Sequence, residues 1–140
     1  MDQKTTGELM QLLSSAKNIS DLKQYTDALA DMTSSVTFPE YLNELMHARG
    51  VTASKLISAA QIQRNYGYQI LDGRRRPSRD KVISLCLALK LELPETQRAL
   101  TLTKNGQLYS KNKRDSILIF AFGKKLSVID TNVLLEEMNE

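Results

Sequence analysis

Three prolines and six glycines cut this 140-residue chain into short segments, and their placement limits the fold more than any other sequence feature. Pro39, Pro77 and Pro94 each stand at or beside a helix start, where a missing N–H leaves no helical hydrogen bond unmade. Gly50, Gly73 and Gly123 each follow an apolar-periodic stretch and read as left-handed caps. Asn105-Gly106 is the one Asn-Gly dipeptide, and the stretch before it has helical rather than alternating spacing. The punctuation predicts an all-α protein.

Two short helices are expected within residues 1–36, near Gly7–Ala16 and Asp21–Met32, the second capped by Ser20. Thr37 then caps a helix from Phe38 to Arg49 whose stripe is Phe38, Tyr41, Leu42, Leu45 and Met46. Thr52 caps a short helix Ala53–Ala60, and the turn Gln61-Ile62-Gln63 leads to another from Arg64 to Asp72. Ser78 caps Arg79–Lys90, with Val82, Leu85, Cys86 and Leu89 facing inward, and Pro94 opens a piece reaching Thr103 with Leu100 inside. The run from Ser116 to Phe122 lacks any period. A helix from Lys111 to Phe122 is preferred, because a lone strand would leave its backbone unpaired. Ser127 caps a last helix to about Met138. The domains expected are an arm at 1–36, a helical domain at 37–104 and a helical extension at 105–140 packed on it.

Composition narrows the function. Hydrophobic residues at 41% and charged residues at 25% suit a folded globular protein. With one cysteine, Cys86, and one histidine, His47, neither an internal disulfide nor a common zinc site is available. No catalytic constellation or phosphate-cradling glycine loop is visible, so no enzyme, metal or cofactor is expected. Ile117 to Phe122 is far shorter than the roughly 20 residues of a membrane span, and the polar start lacks a signal peptide's apolar stretch. A cytoplasmic protein is expected.

The net charge of +3 hides an uneven distribution. Residues 61–82 carry five Arg and one Lys against two Asp, and residues 104–125 carry six basic residues against one acidic. Residues 126–140 carry only acids, four of them. Two basic blocks of this kind point to a polyanionic partner.

The spacing within 51–95 adds a more specific signal. Leu56 and Ala60 on one short helix, Ile62 in the turn, Ile70 and Gly73 at the end of the next, Pro77-Ser78 after the loop, and Leu85, Ala88, Leu89 and Leu91 beyond follow one pattern without a gap. That pattern resembles the lambda-repressor-like (XRE-type) helix-turn-helix family, over residues 37–104, about half the chain. The resemblance implies a bundle of about five helices, with a recognition helix at about 64–72 that enters the major groove of double-stranded DNA, about 12 Å wide. By position it nominates Gln63, Arg64, Asn65, Tyr66 and Gln69 for base contacts, and Thr52, Ser54, Arg74, Arg75, Arg76, Ser78 and Arg79 for phosphates. It implies a transcriptional regulator acting as a homodimer, with two recognition helices about 34 Å apart.

Two positions depart from the pattern. Gln61 stands where the family's turn has glycine, which requires a side chain in a left-handed conformation. Gly67 replaces the usual buried Ile or Val, removing a core anchor between Tyr66 and Tyr68. The second function considered is therefore a signalling adaptor, reusing the scaffold to hold a protein partner through Tyr66 and Tyr68 or the N-terminal helices.

Overall fold

A computed structural model describes residues 36–140; the expected helices at 7–16 and 21–32 lie outside the described residues. Seven α-helices follow in order: α1 Phe38–Arg49, α2 Ala53–Ala59, α3 Arg64–Leu71, α4 Arg79–Ala88, α5 Leu93–Leu102, α6 Lys113–Gly123 and α7 Val128–Glu137. No strand occurs among the described residues. Each of these helices falls where the sequence predicts one, with ends shifted by a residue or two. Ser116 to Phe122 lies within α6. No helix among the described residues is long and apolar enough to cross a membrane.

Side-chain caps start most of these helices. Oxygens of Thr52, Gln63, Ser78, Asn112 and Ser127 accept from the backbone N–H three residues on, at 2.8–3.4 Å, satisfying donors that a helix start leaves unpaired. At α5, Glu95 Oε1 accepts from the Glu92 N–H at 2.9 Å, the return half of a capping box.

The helix ends are equally regular. One residue at positive φ follows each: Gly50, Gln61, Gly73, Lys90, Lys104, Lys125 and Asn139. Gly50 and Gly73 serve as the sequence predicts, and Gln61 takes the left-handed conformation at φ 58°. Gly123 does not cap. It is the last residue of α6, and Lys125 at φ 55° makes the turn instead. The reason is the residue that follows. The Leu126 N–H bonds back to the Ala121 carbonyl at 3.0 Å, bringing the Leu126 side chain against the core. Val51, Ile62 and Leu91 do the same after α1, α2 and α4. In this closure an apolar residue lands on the helix it leaves, and the residue before it must be left-handed.

One core runs through the compact unit Phe38–Glu140. Leu42 from α1, Leu56 from α2, Ile70 from α3, Leu85 from α4 and Leu100 from α5 are fully buried. Ile117, Leu118, Ala121 and Phe122 from α6 and Val128 and Leu135 from α7 belong to the same core. Helix α6 contacts α5, and α7 contacts α4. Asp115, buried at the start of α6, accepts from the two terminal guanidinium nitrogens of Arg79, Nη1 and Nη2, at 3.1 and 2.9 Å and from the Tyr109 N–H at 2.9 Å. These bonds join α4 to the α5–α6 loop and the first turn of α6.

Candidate nucleic-acid interface

Helices α2 and α3 pack directly on one another, and the contact depends on a missing side chain. Gly67 is buried, and a Cβ there would stand 2.7 Å from Ile57 Cγ1, 2.7 Å from Cγ2 and 2.9 Å from Cδ1. The anchor that the sequence lacks at position 67 is thus supplied from α2 by Ile57, itself buried. Gly67, Ile70 and Leu71 form the inward side of α3. At 100° per residue, Asn65 and Gln69 fall on the opposite side, four residues apart.

The first turn of α3 is open to solvent. Gln63, Arg64 and Asn65 are exposed, but the Gln63 side chain is already in use, since its Oε1 caps the helix by accepting from the Tyr66 N–H at 2.8 Å. Arg64 lies one turn before Tyr68, with its guanidinium carbon 5.9 Å from the ring centroid. Gln69 is half-buried and accepts from Arg75 Nε at 3.1 Å, which leaves its amide N–H2 as the uncommitted end. Tyr66 and Tyr68 are half-buried and lie against the core.

The arginines of the following loop separate by partner. Arg74 is tied to Asp72, with Nη2 2.7 Å and Nε 2.8 Å from Oδ2, and these hydrogen bonds hold the Asp72 carboxyl below its ordinary range. Arg75 is exposed and bonds only neutral groups, Gln69 Oε1 and, through its backbone N–H, the Gln69 carbonyl. Arg76 donates from Nε and Nη2 to the Thr103 carbonyl at 3.2 and 2.6 Å. Arg79 has the most bonds: besides Asp115, it donates to the carbonyls of Gly106 and Gln107. It was nominated for a phosphate, and the structure uses it to join α4 to the start of α6.

Comparison with family models, curated proteins and solved structures found no match.

At the start of α2, Thr52 and Ser54 are exposed, and so is Lys55, which the sequence reading passed over although it lies in the first turn beside the cap. Ser78 is exposed at the start of α4, with Lys81 half-buried one turn on. Between residues 51 and 81, Lys55, Arg64, Arg74, Arg75, Arg76, Arg79 and Lys81 outnumber Asp72 and Asp80. The surface of α2, α3, the loop and the first turn of α4 therefore carries a net positive charge, with the Gln63 and Asn65 amides at the start of α3, chemistry suited to phosphates and base edges.

Three of the six cations in the second basic block are engaged within the chain. Lys113 donates to the Met138 carbonyl at 3.0 Å and lies 3.6 Å from Glu140 Oε1, while Arg114 donates to the Glu140 carbonyl and lies 3.9 Å from Asp80. Cations there meet the carbonyl end of α7, where the helix dipole favours them. Lys125 bonds Glu92 Oε1 at 2.6 Å and the Lys90 carbonyl at 3.0 Å. Among the described residues, no three His, Cys, Asp or Glu side chains are grouped to hold a metal ion.

Proposed function

We propose that this chain is a lambda-repressor-like helix-turn-helix protein of the cytoplasm that binds double-stranded DNA as a homodimer and regulates transcription. The observation that carries this reading is the α2–α3 pair. Gly67 seats α3 closely on Ile57, and Asn65 and Gln69 are left on the outward side, with Arg64 and Arg75 exposed beside them. In this reading Arg64, Asn65 and Gln69 meet base edges in the major groove. Thr52, Ser54, Lys55, Arg75 and Ser78 meet phosphates and set the register. Gln63 shapes the start of the recognition helix, and Tyr66 supports it from the core side. The adaptor reading has less support, because both tyrosines lie partly against the core and Gly67 is covered by Ile57.

Fluorescence anisotropy with labelled fragments of a genomic pool at low salt tests the proposal. Binding that weakens steeply as salt rises is expected, since phosphate neutralisation releases counterions. Absence of binding to any fragment would overturn it.

A further inference from the structure

The outward side chains of α3 differ in what they have left to offer a partner. A glutamine amide carries an oxygen that accepts and an N–H2 that donates, whereas a guanidinium only donates. Near the end of α3, Arg75 Nε donates to Gln69 Oε1 at 3.1 Å. The Arg75 backbone N–H also bonds the Gln69 carbonyl, at 3.1 Å, so the loop is held against the helix at the same two residues. Because arginine has no acceptor, the side-chain bond fixes the direction of the amide, with its oxygen toward Arg75 and its N–H2 away from it. The neighbouring arginines are held elsewhere, Arg74 by Asp72 and Arg76 by the Thr103 carbonyl.

The start of the helix has the same bias, since Gln63 Oε1 is taken by the Tyr66 N–H at 2.8 Å and Arg64 can only donate. Asn65 is the exception. Its amide forms no hydrogen bond among the described residues, and both of its ends are open. In the major groove adenine shows an acceptor beside a donor, guanine two acceptors, N7 and O6, cytosine a donor, and thymine one acceptor beside a methyl group. An amide with both ends open matches adenine, through one bond of each kind. An amide whose oxygen is already taken matches acceptors only, and guanine displays two of them side by side.

We infer that Arg75 is a positioning residue that makes Gln69 select guanine: Gln69 donates from its N–H2 to the N7 and O6 edge, while Asn65, four residues earlier, keeps the adenine pattern. The inference rests on the DNA-binding reading above and names the base that this part of the site takes. Arg75 Nη1 and Nη2 form no hydrogen bond among the described residues, so the end of the guanidinium stays open to a phosphate while Nε holds the amide. The two roles of Arg75 are separable, because a phosphate contact carries no sequence information.

Competition anisotropy of the full chain is the test, with duplexes of its selected half-site that carry each of the four base pairs at each position in turn. Gln69→Ala marks the position that residue 69 reads, as the one whose preference it flattens. There the wild type should bind guanine about tenfold more tightly than adenine. Arg75→Ala keeps the backbone bond to the Gln69 carbonyl but releases Oε1. All four duplexes should weaken through the lost phosphate contact, adenine least, so that guanine and adenine come within about twofold of each other. The position read by Asn65 is the internal control and should keep its adenine preference. Gln69→Glu provides a second variant: a carboxylate only accepts, so guanine should be rejected and cytosine favoured. An Arg75→Ala chain that weakens all four duplexes by one factor would overturn the inference, as would a wild-type preference for adenine at this position or a Gln69→Ala chain that flattens no position. In each of these cases the DNA-binding reading stands. Absence of binding to any duplex at low salt overturns that reading and the inference with it.

Discussion

Gly67→Ala puts a single methyl group into the contact that seats α3 on α2. Alanine favours a helix interior by about 1 kcal/mol over glycine, so at an unobstructed site the substitution would stabilise. Here the new Cβ would meet Ile57 Cγ1 and Cγ2 at 2.7 Å and Cδ1 at 2.9 Å. Ile57 is β-branched, so turning χ1 moves one branch away only by bringing another near, and its buried position leaves little room. The helices must separate, at a cost of about 1–3 kcal/mol for overpacking. Net destabilisation of about 1 kcal/mol is expected, lowering Tm by about 4–8 °C for a domain of this size. The sign should reverse when the obstruction is removed. Ile57→Ala alone is expected to lose about 2–5 kcal/mol; in that background Gly67→Ala should stabilise, giving a coupling of about 2 kcal/mol. Urea denaturation of the four chains measures this. A stabilising Gly67→Ala in the wild type, or an equal effect in both backgrounds, would refute the reasoning.

Three further outcomes follow from other sites. Burial raises the Asp115 carboxyl, but the Arg79 hydrogen bonds, the Tyr109 N–H and the charges of Arg79 and Arg114 outweigh it and hold the pKa below its ordinary value. A carboxylate depressed on folding stabilises above its unfolded pKa of about 3.9 and loses that contribution as pH falls through the folded value. Urea midpoints should therefore fall below about pH 4 in the wild type and fall less in Asp115→Asn. Asp115→Ala should lose about 2–3 kcal/mol at neutral pH, less than a fully buried pair because Arg79 is partly exposed. Burial pushes the Cys86 thiol up to about 12, so alkylation at pH 8 should follow the rate of unfolding rather than that of a free thiol; fast labelling of the native chain would contradict its buried position. On DNA, Asn65→Ala should relax preference at one base pair, whereas Arg75→Ala should weaken every sequence and reduce the salt slope by about one.

What was legible in the sequence was local. Thr52, Ser78 and Ser127 cap helices because capping needs only a side chain three residues from the N–H it satisfies, and the core stripe of α4 follows from spacing alone. Gly123 was misread because the helix end is set by the apolar residue that folds back, Leu126, and not by the nearest glycine. The residues before Val51, Ile62, Leu91 and Leu126 are the left-handed ones, a signal present in the sequence once apolar residues are read as part of the cap. The candidate interface was legible in composition but not in commitment. Arg76 finds the Thr103 carbonyl 27 residues away, and Arg79 finds Asp115 36 residues away. No local pattern distinguishes these from Arg75. Gly67 looked like a lost anchor because the group that fills its place, Ile57, belongs to the preceding helix.

Selection of bound sequences from a random double-stranded DNA pool by the full chain tests the central claim most directly. The account predicts enrichment of paired half-sites with centres about one helical turn apart, and relaxed preference at one base pair of each half-site in Asn65→Ala. A pool that emerges with no enriched sequence, at a salt concentration low enough for phosphate contacts to hold, would contradict it.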